Sequence, residues 1–385
     1  MESLLPFIII CIQSLVFIVA LLTGFAYMTY AERRIVARMQ WRLGPNRTGP
    51  FGLLQPLADG GKLLFKEQLM PKNVQPFVFV LAPCISLVVA LSAFAVIPVG
   101  HETYNILGFH FHPWIADLDV SVLYLLGVSS LGVYGIILGG WSSGNKYALL
   151  GAIRSSAQVI SYELALGMAL ISPLLMVGSL SLYRVVGFQI DHPWLTEGGW
   201  LILFQPLAFI LYCIAAVVEV NRAPFALPAA EQELGAGYHT EYSGMKFAMF
   251  FMAEYVNMIT VSSVATAVFL GGPGGLPLPF PGGDVISQAL SQGPWWFILK
   301  VCGFMFIFIW LRATFPRFRY DQLMRIGWQV LLPLGVLNMV VTAVGVAFQW
   351  PPLAFTAAIV GMVALLAYVG WASLRAQHDA IATAH

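Results

Sequence analysis

Charge is what this sequence has least of. Asp, Glu, Lys and Arg make up 10% of its 385 residues, while 59% are hydrophobic and mean hydropathy is +0.81. An ordinary soluble domain carries about 25% charge, and no soluble core of this length holds so much apolar surface, so the chain is read as an integral membrane protein. Nineteen Lys and Arg stand against eighteen Asp and Glu, so the clustered basic surplus that nucleic acid demands is missing. Cysteine is scarce too. Cys11, Cys84, Cys213 and Cys302 fall singly in apolar stretches, with no CxxC pair and no Cys/His cluster. That excludes an iron–sulfur cluster or structural zinc built from this chain and speaks against disulfides. The first thirty residues lack the basic n-region and small-residue cleavage site of a signal peptide and are read as a retained first span.

What the sequence has in quantity is long apolar runs. A helix needs about 20 apolar residues to cross a ~30 Å hydrocarbon layer, and nine stretches qualify: 3–29, 76–99, 121–142, 153–178, 201–221, 247–270, 297–313, 326–347 and 352–374. Backbone groups in lipid must be satisfied within the segment, and these Leu-, Ile- and Ala-rich runs favour helices over barrel strands. The expected fold is an all-α polytopic membrane protein of about nine spans. Sixteen of the nineteen Lys and Arg lie in segments 30–75, 143–154, 222–246 and 312–325. The positive-inside rule therefore places those loops and the C-terminal tail in the cytoplasm and the N-terminus outside.

Some features point to nothing special. The glycine-rich stretch 271–284 lacks Lys, Arg and phosphate-loop spacing and reads as a surface connection. His101, His110 and His112 read as solvated loop histidines, and no internal repeat of the kind common in secondary transporters is evident.

Three glutamates stand inside otherwise apolar helices: Glu163 in ISYELALG, Glu219 in AAVVEVNR and Glu254 in FFMAEYVN. A carboxylate in lipid costs several kcal/mol, so such residues face a bundle interior or a wet cavity and are functional candidates by default. At ~1.5 Å per residue they lie about 15, 5 and 10 Å from the cytoplasmic helix ends, all in one half of the membrane. Ser155, Gln158 and Tyr162 share a stripe with Glu163, and Asn257 lies one turn beyond Glu254. Coupled carboxylates in such a setting suit stepwise proton transfer; the plainer reading is that each hydrogen-bonds a neighbouring helix. For Glu219 the plainer reading is a local pair with Arg222, one turn on.

The first cytoplasmic loop is long and densely charged. Between Gln55 and Gln68, Leu57, Leu64 and Phe65 share one helical face and Asp59, Lys62 and Lys66 another, the pattern of an amphipathic helix lying on the membrane surface. The Gly/Pro segment RLGPNRTGPFG before it points to a shaped docking or ligand surface, with a simple anionic-lipid anchor as the alternative. The third loop brings Glu231, Glu233, His239 and Glu241 next to the helix of Glu254, to pass protons, to contact a partner, or simply to be solvated. In the fourth, Arg312, Arg317, Arg319 and Arg325 read as orientation by positive charge plus docking.

The strings AERRIVARMQWRLGPNRTGPFGLLQPLADGGKLLFKE, GWSSGNKYALLGAIRSSAQVISYE, EVNRAPF, GYHTEYSGMKFAMFFMAEY and RATFPRFRYDQLMR closely resemble the H-subunit family of proton-pumping NADH:quinone oxidoreductase, respiratory complex I. The resemblance covers roughly residues 5–347, an eight-helix body, with 348–385 as an added span and tail. It implies a bacterial inner-membrane subunit at the joint between the electron-transfer and pumping arms. Flavin and iron–sulfur clusters would be confined to partner subunits, and quinone would be the substrate. Further implied partners are the quinone-site peripheral-arm subunits, the small and antiporter-like membrane subunits, and the bilayer. It implies that Glu32, Arg33, Arg42, Asp59 and Lys62 line or support the quinone tunnel. Glu163, Glu219, Arg222 and Glu254 would form an acidic passage, and Glu231, Glu233 and Glu241 its coupling loop. One departure is that PFALPAAE carries Ala226 and Ala229 where the family reads two carboxylates, which singles out proton coupling as the property to test. The residues alone leave three rivals: the related subunit of energy-converting hydrogenases or ferredoxin-linked complexes, a free-standing ion or solute transporter, and an uncoupled scaffold.

Overall fold

The computed structural model describes residues 4–101, 104–106, 109–191, 199–226, 235, 237–275, 293–351 and 354–363. Among these residues the chain is all-α apart from one short hairpin, Tyr104–Ile106 paired antiparallel with Phe109–Phe111. Among the described residues seven helices are long and apolar enough to span a membrane, and two shorter apolar helices, Pro206–Glu219 and Ala354–Val363, fall within the two remaining predicted spans. The later residues of the predicted span 352–374, and the tail after it, lie outside the described residues.

Helix α1, Leu4–Met39, runs ten residues beyond the expected 3–29. The reason is local: AERRIVARM is a run of good helix formers without glycine or proline. At 36 residues, α1 is about 54 Å long and outreaches the hydrocarbon layer, so Glu32 and Arg33 sit on a helix and not in a loop. It stops where Trp41 takes a left-handed φ of 56° ahead of Gly44–Pro45. Helix α2, Gln55–Phe65, is the expected amphipathic surface helix; Leu57, Leu64 and Phe65 are exposed on it.

Helices α3 (Pro76–Ala93) and α4 (Ser121–Ser142) pack closely because Gly135 lets the backbones meet: a Cβ there would lie 3.0 Å from the Ala82 carbonyl and overlap the Ser86 hydroxyl. Helix α5, Lys146–Val177, starts seven residues before the expected 153, with Asn145 accepting from the Tyr147 N–H at 3.0 Å as its N-cap. The charged stretch read as loop is therefore its first two turns. After α6 (Leu182–Asp191), the predicted span 201–221 divides at Gln205–Pro206 into a single turn, α7 (Leu201–Phe204), and α8 (Pro206–Glu219). Then follow α9 (Gly244–Phe269), α10 (Pro294–Thr314) and α11 (Tyr320–Arg325). A π-helical stretch, Ile326–Leu331, joins α11 to α12 (Leu332–Ala347), and α13 is Ala354–Val363.

The core lies where α5, α8 and α9 meet, with Tyr162, Leu170, Tyr212, Met258 and Phe269 buried. A polar clasp holds α12 to this core. Asn338 Nδ2 donates to Ser172 Oγ (2.8 Å) and Gln205 Oε1 (3.2 Å), and Gln205 Nε2 donates to Thr342 Oγ1 (3.1 Å). Such interhelical hydrogen bonds serve as glue where lipid removes the hydrophobic drive for association.

Candidate functional site

Helix α8 ends at Glu219, and Asn221 takes a left-handed φ of 54°, a conformation that asparagine tolerates better than most residues. The turn sends Arg222 back into the bundle, where it is buried. Its Nη1 donates to both oxygens of Glu32, at 2.9 and 3.0 Å, and its Nε lies 3.0 Å from Glu254 Oε1, an ion pair without hydrogen-bond alignment. The guanidinium also lies over the Tyr255 ring, 4.2 Å from its centroid. Tyr255 donates its hydroxyl proton to Glu32 Oε2 at 2.7 Å, and Arg312 completes the cluster on Glu32 Oε1. Two arginines thus balance two glutamates drawn from α1, α9, α10 and the turn after α8. Burial pulls the pKa of Arg222 down, but Glu254, Tyr255 and Glu32 outweigh it and hold the guanidinium above its ordinary value, so it stays charged.

Beside this cluster is a polar cavity of about 70 Å³ lined by Ser86, Ser129, Glu219, Asn221, Glu254 and Asn257 among others. One water needs roughly 10–15 Å³ by this measure, so the cavity has room for several. Glu219 Oε2 and Asn221 Oδ1 are buried without a protein hydrogen-bond partner; most buried polar atoms have a partner, protein or water, and both residues line this cavity. Glu163 joins through Ser129, whose hydroxyl donates to Glu163 Oε1 at 2.9 Å. The three intrahelical glutamates therefore converge: Glu219 and Glu254 on the cavity wall, Glu163 one hydrogen bond behind it. With α5 starting at Lys146, Glu163 lies roughly 25 Å along its helix, deeper than the expected 15 Å.

A second cavity, of about 660 Å³, opens between α1, α2 and α9. Arg33, Asp59 and Lys62 line it, with Phe25, Thr29 and Phe251, and Arg33 Nη1 pairs with Asp59 Oδ2 at 2.6 Å. Arg42 is not brought there. It is exposed in the turn after α1, with its N–H on the Ala37 carbonyl at 2.8 Å. Glu32 is also elsewhere, on the face of α1 that carries the ion cluster.

Arg222 does not pair with Glu219. The i,i+3 spacing that predicted the pair requires a continuous helix, and α8 has ended between them. Arg312, read from sequence as an orienting charge, is instead a partner of buried Glu32. Tyr255 and Ser129 escaped the sequence reading altogether. Tyr255 directly follows Glu254, which was a usable signal; nothing local marked Ser129. In the loop before α9, Glu241 accepts from Asn145 Nδ2 at 3.0 Å, which ties the loop to the start of α5. His239 is caged by Tyr238, Phe247, Phe250 and Phe251. Burial pushes its imidazole down to about 3, so it is neutral near pH 7. Glu231, Glu233 and Ala229 lie outside the described residues; the Ala226 carbonyl accepts from Arg317.

Together these features define a polytopic α-helical membrane protein with ionisable groups paired, or lining a polar cavity, between its helices. Residues 12–343 match the family model described as NADH dehydrogenase. The chain is 54% identical over 321 residues to the H subunit of NADH-quinone oxidoreductase from Thermomicrobium roseum, covering 82% of this chain and 90% of the relative. It is 50% identical over 347 residues to NADH-quinone oxidoreductase subunit 8 of Thermus thermophilus, covering 90% and 89%. It is also 46% identical over 384 residues to the H subunit from Frankia casuarinae, covering 97% and 82%. The chain belongs to the NADH dehydrogenase family, that of the H subunits of NADH-quinone oxidoreductase.

Proposed function

We propose that this chain forms the wall of the quinone access path of a proton-translocating NADH:quinone oxidoreductase and passes the effect of quinone reduction into the membrane. One observation carries the reading. Charged side chains lie along the way from one cavity to the other: Arg33 on α1 pairs with Asp59 at the larger, its sequence neighbour Glu32 holds Arg222 on another face of the same helix, Arg222 meets Glu254, and Glu254 lines the smaller cavity with Glu219, with Glu163 behind it on Ser129.

The larger cavity suits a quinone. Its apolar walls take an isoprenoid tail, and Arg33, Asp59 and Lys62 offer polar contacts at one end; Arg42 supports the loop from outside. A change of charge there shifts the field on the Glu32–Arg222 pair, and Glu254 is the shared member that carries the change to the acidic cavity. Proton movement then runs among Glu254, Glu219 and Glu163 by way of water and Ser129, with Glu231, Glu233 and Glu241 as the coupling loop. Electron transfer belongs to partner subunits that hold flavin and iron–sulfur clusters, so the active site is completed only in the assembly. The remaining partners are antiporter-like and small membrane subunits and the peripheral-arm subunits of the quinone site. The setting is a bacterial inner membrane, N-terminus outside and basic loops in the cytoplasm.

The test is to tag this chain, extract it in mild detergent and assay the particle that copurifies. Inhibitor-sensitive NADH:quinone reductase activity should travel with the tag. Hydrogen evolution instead, or a chain that emerges alone, would overturn the reading.

A further inference from the structure

A third cavity, apolar and separate from both of those above, runs between α8 and α10 over α9. It measures about 360 Å³ and extends from Phe209 to Phe225 and Phe318 at the end of the bundle that bears the basic loops. Along α8, from Phe209 to Val217, that is about 12 Å, close to the ~15 Å depth of one leaflet's hydrocarbon. Its rim residues Ile307 and Phe315 are exposed, so the cavity is a groove open toward the bilayer and not an enclosed core void. Phe225 and Phe318 stack with centroids 5.2 Å apart and close its end.

The rim has a definite chemistry. Phe315-Pro316-Arg317-Phe318-Arg319 puts two exposed arginines beside the stack, with exposed Asp321 two residues further on. Arg317 reaches across to the Ala226 carbonyl, next to Phe225, so its guanidinium lies at the mouth with further donors to spare. Exposed Trp310 and Trp328 flank this end of the bundle, the side chains that mark the headgroup level of a membrane. An apolar slot one leaflet deep beneath paired arginines matches an amphiphile with an anionic head, and arginine is the side chain best shaped to hold a phosphate. A protein partner would be expected to meet a broad apolar face, not a narrow slot.

We propose that this groove seats an acyl chain of an anionic phospholipid whose phosphate is held by Arg317 and Arg319. The lipid braces the Phe225–Phe318 stack and, through it, the turn that carries Arg222.

The experiment uses the whole complex, purified in mild detergent, stripped of lipid and incubated with phosphatidylglycerol bearing a diazirine in one acyl chain. After irradiation, the label should fall on peptides spanning 206–225 and 304–318. Unlabelled phosphatidylglycerol should remove it and phosphatidylcholine should not. Arg319→Gln, which leaves the Arg317–Ala226 contact intact, should weaken labelling about fivefold, and Arg317→Gln with Arg319→Gln further still. Ala216→Phe fills the groove and should abolish labelling; should that variant not assemble, the arginine variants decide. Equal competition by phosphatidylcholine, displacement by a short-chain quinone, or labelling of α1 as strong as of α8 would each overturn the proposal.

Discussion

Arg222→Met is the most informative single change. It removes one of two cations from buried Glu32 and leaves Glu254 without an ion-pair partner among the described residues. Breaking a buried pair from one side strands a charge and costs about 3–5 kcal/mol. Arg184→Met provides the control: its pair with Asp119 has almost the same length, 2.9 Å, but the side chains are 66% and 82% exposed. An exposed pair of that kind is worth under ~1 kcal/mol. The assay is denaturant titration of the detergent-solubilised complex, following loss of this subunit, for wild type, Arg222→Met, Glu32→Gln and the double variant. Arg222→Met should lose several-fold more stability than Arg184→Met, and the double variant should lose well under the sum of the singles. The reasoning fails if the two arginine variants lie within ~1 kcal/mol of each other, or if the cycle is additive to within ~0.5 kcal/mol.

Four further outcomes follow from particular contacts. Tyr255→Phe keeps the ring beneath Arg222 but removes the hydrogen bond to Glu32, and should cost about 1.5–3 kcal/mol in the same titration. Gly135→Ala drives a methyl into Ser86 and the Ala82 carbonyl and should cost about 1–3 kcal/mol by forcing α3 from α4; an unchanged midpoint would refute the close packing. His239 gives a pH dependence whose sign is fixed. Below about pH 6.5 the unfolded chain protonates this histidine, whereas the folded chain, with its imidazole held at about 3, does not, so stability is lost as pH falls from 6.5 toward 3. Between pH 6 and 4 wild type should lose up to ~1.4 kcal/mol per pH unit more than His239→Phe, and equal slopes would refute the buried neutral state. Ser129→Ala removes the hydrogen bond to Glu163 and should slow proton pumping less than Glu163→Gln does.

The elements that the sequence disclosed were those set by composition over many residues. Apolar runs located the seven long helices, and the two-faced pattern of Gln55–Gln68 located α2. Helix ends were harder. Met39 and Lys146 lie in charged stretches that hydropathy reads as loop but helix propensity continues, and the break at Gln205–Pro206 needed the proline weighed against the apolar run around it. The convergence of Glu163, Glu219 and Glu254 was readable because a carboxylate in an apolar helix must find a polar interior. Their partners were not, because Glu32 and Arg312 meet across 280 positions and no local periodicity records that. Arg222 shows the opposite failure, in which a valid local rule was applied across a helix end that the sequence did not reveal.

The most direct test of the coupling account is Glu163→Gln in the intact complex reconstituted into liposomes, with NADH oxidation and proton uptake read in the same sample. Gln keeps the size of the side chain and a hydrogen-bonding oxygen for Ser129 but cannot carry a proton. The account predicts an assembled, quinone-binding complex whose turnover falls and whose pumping falls with it. Normal proton uptake at normal turnover would remove Glu163 from the path and contradict the claim that the acidic cavity carries the coupling.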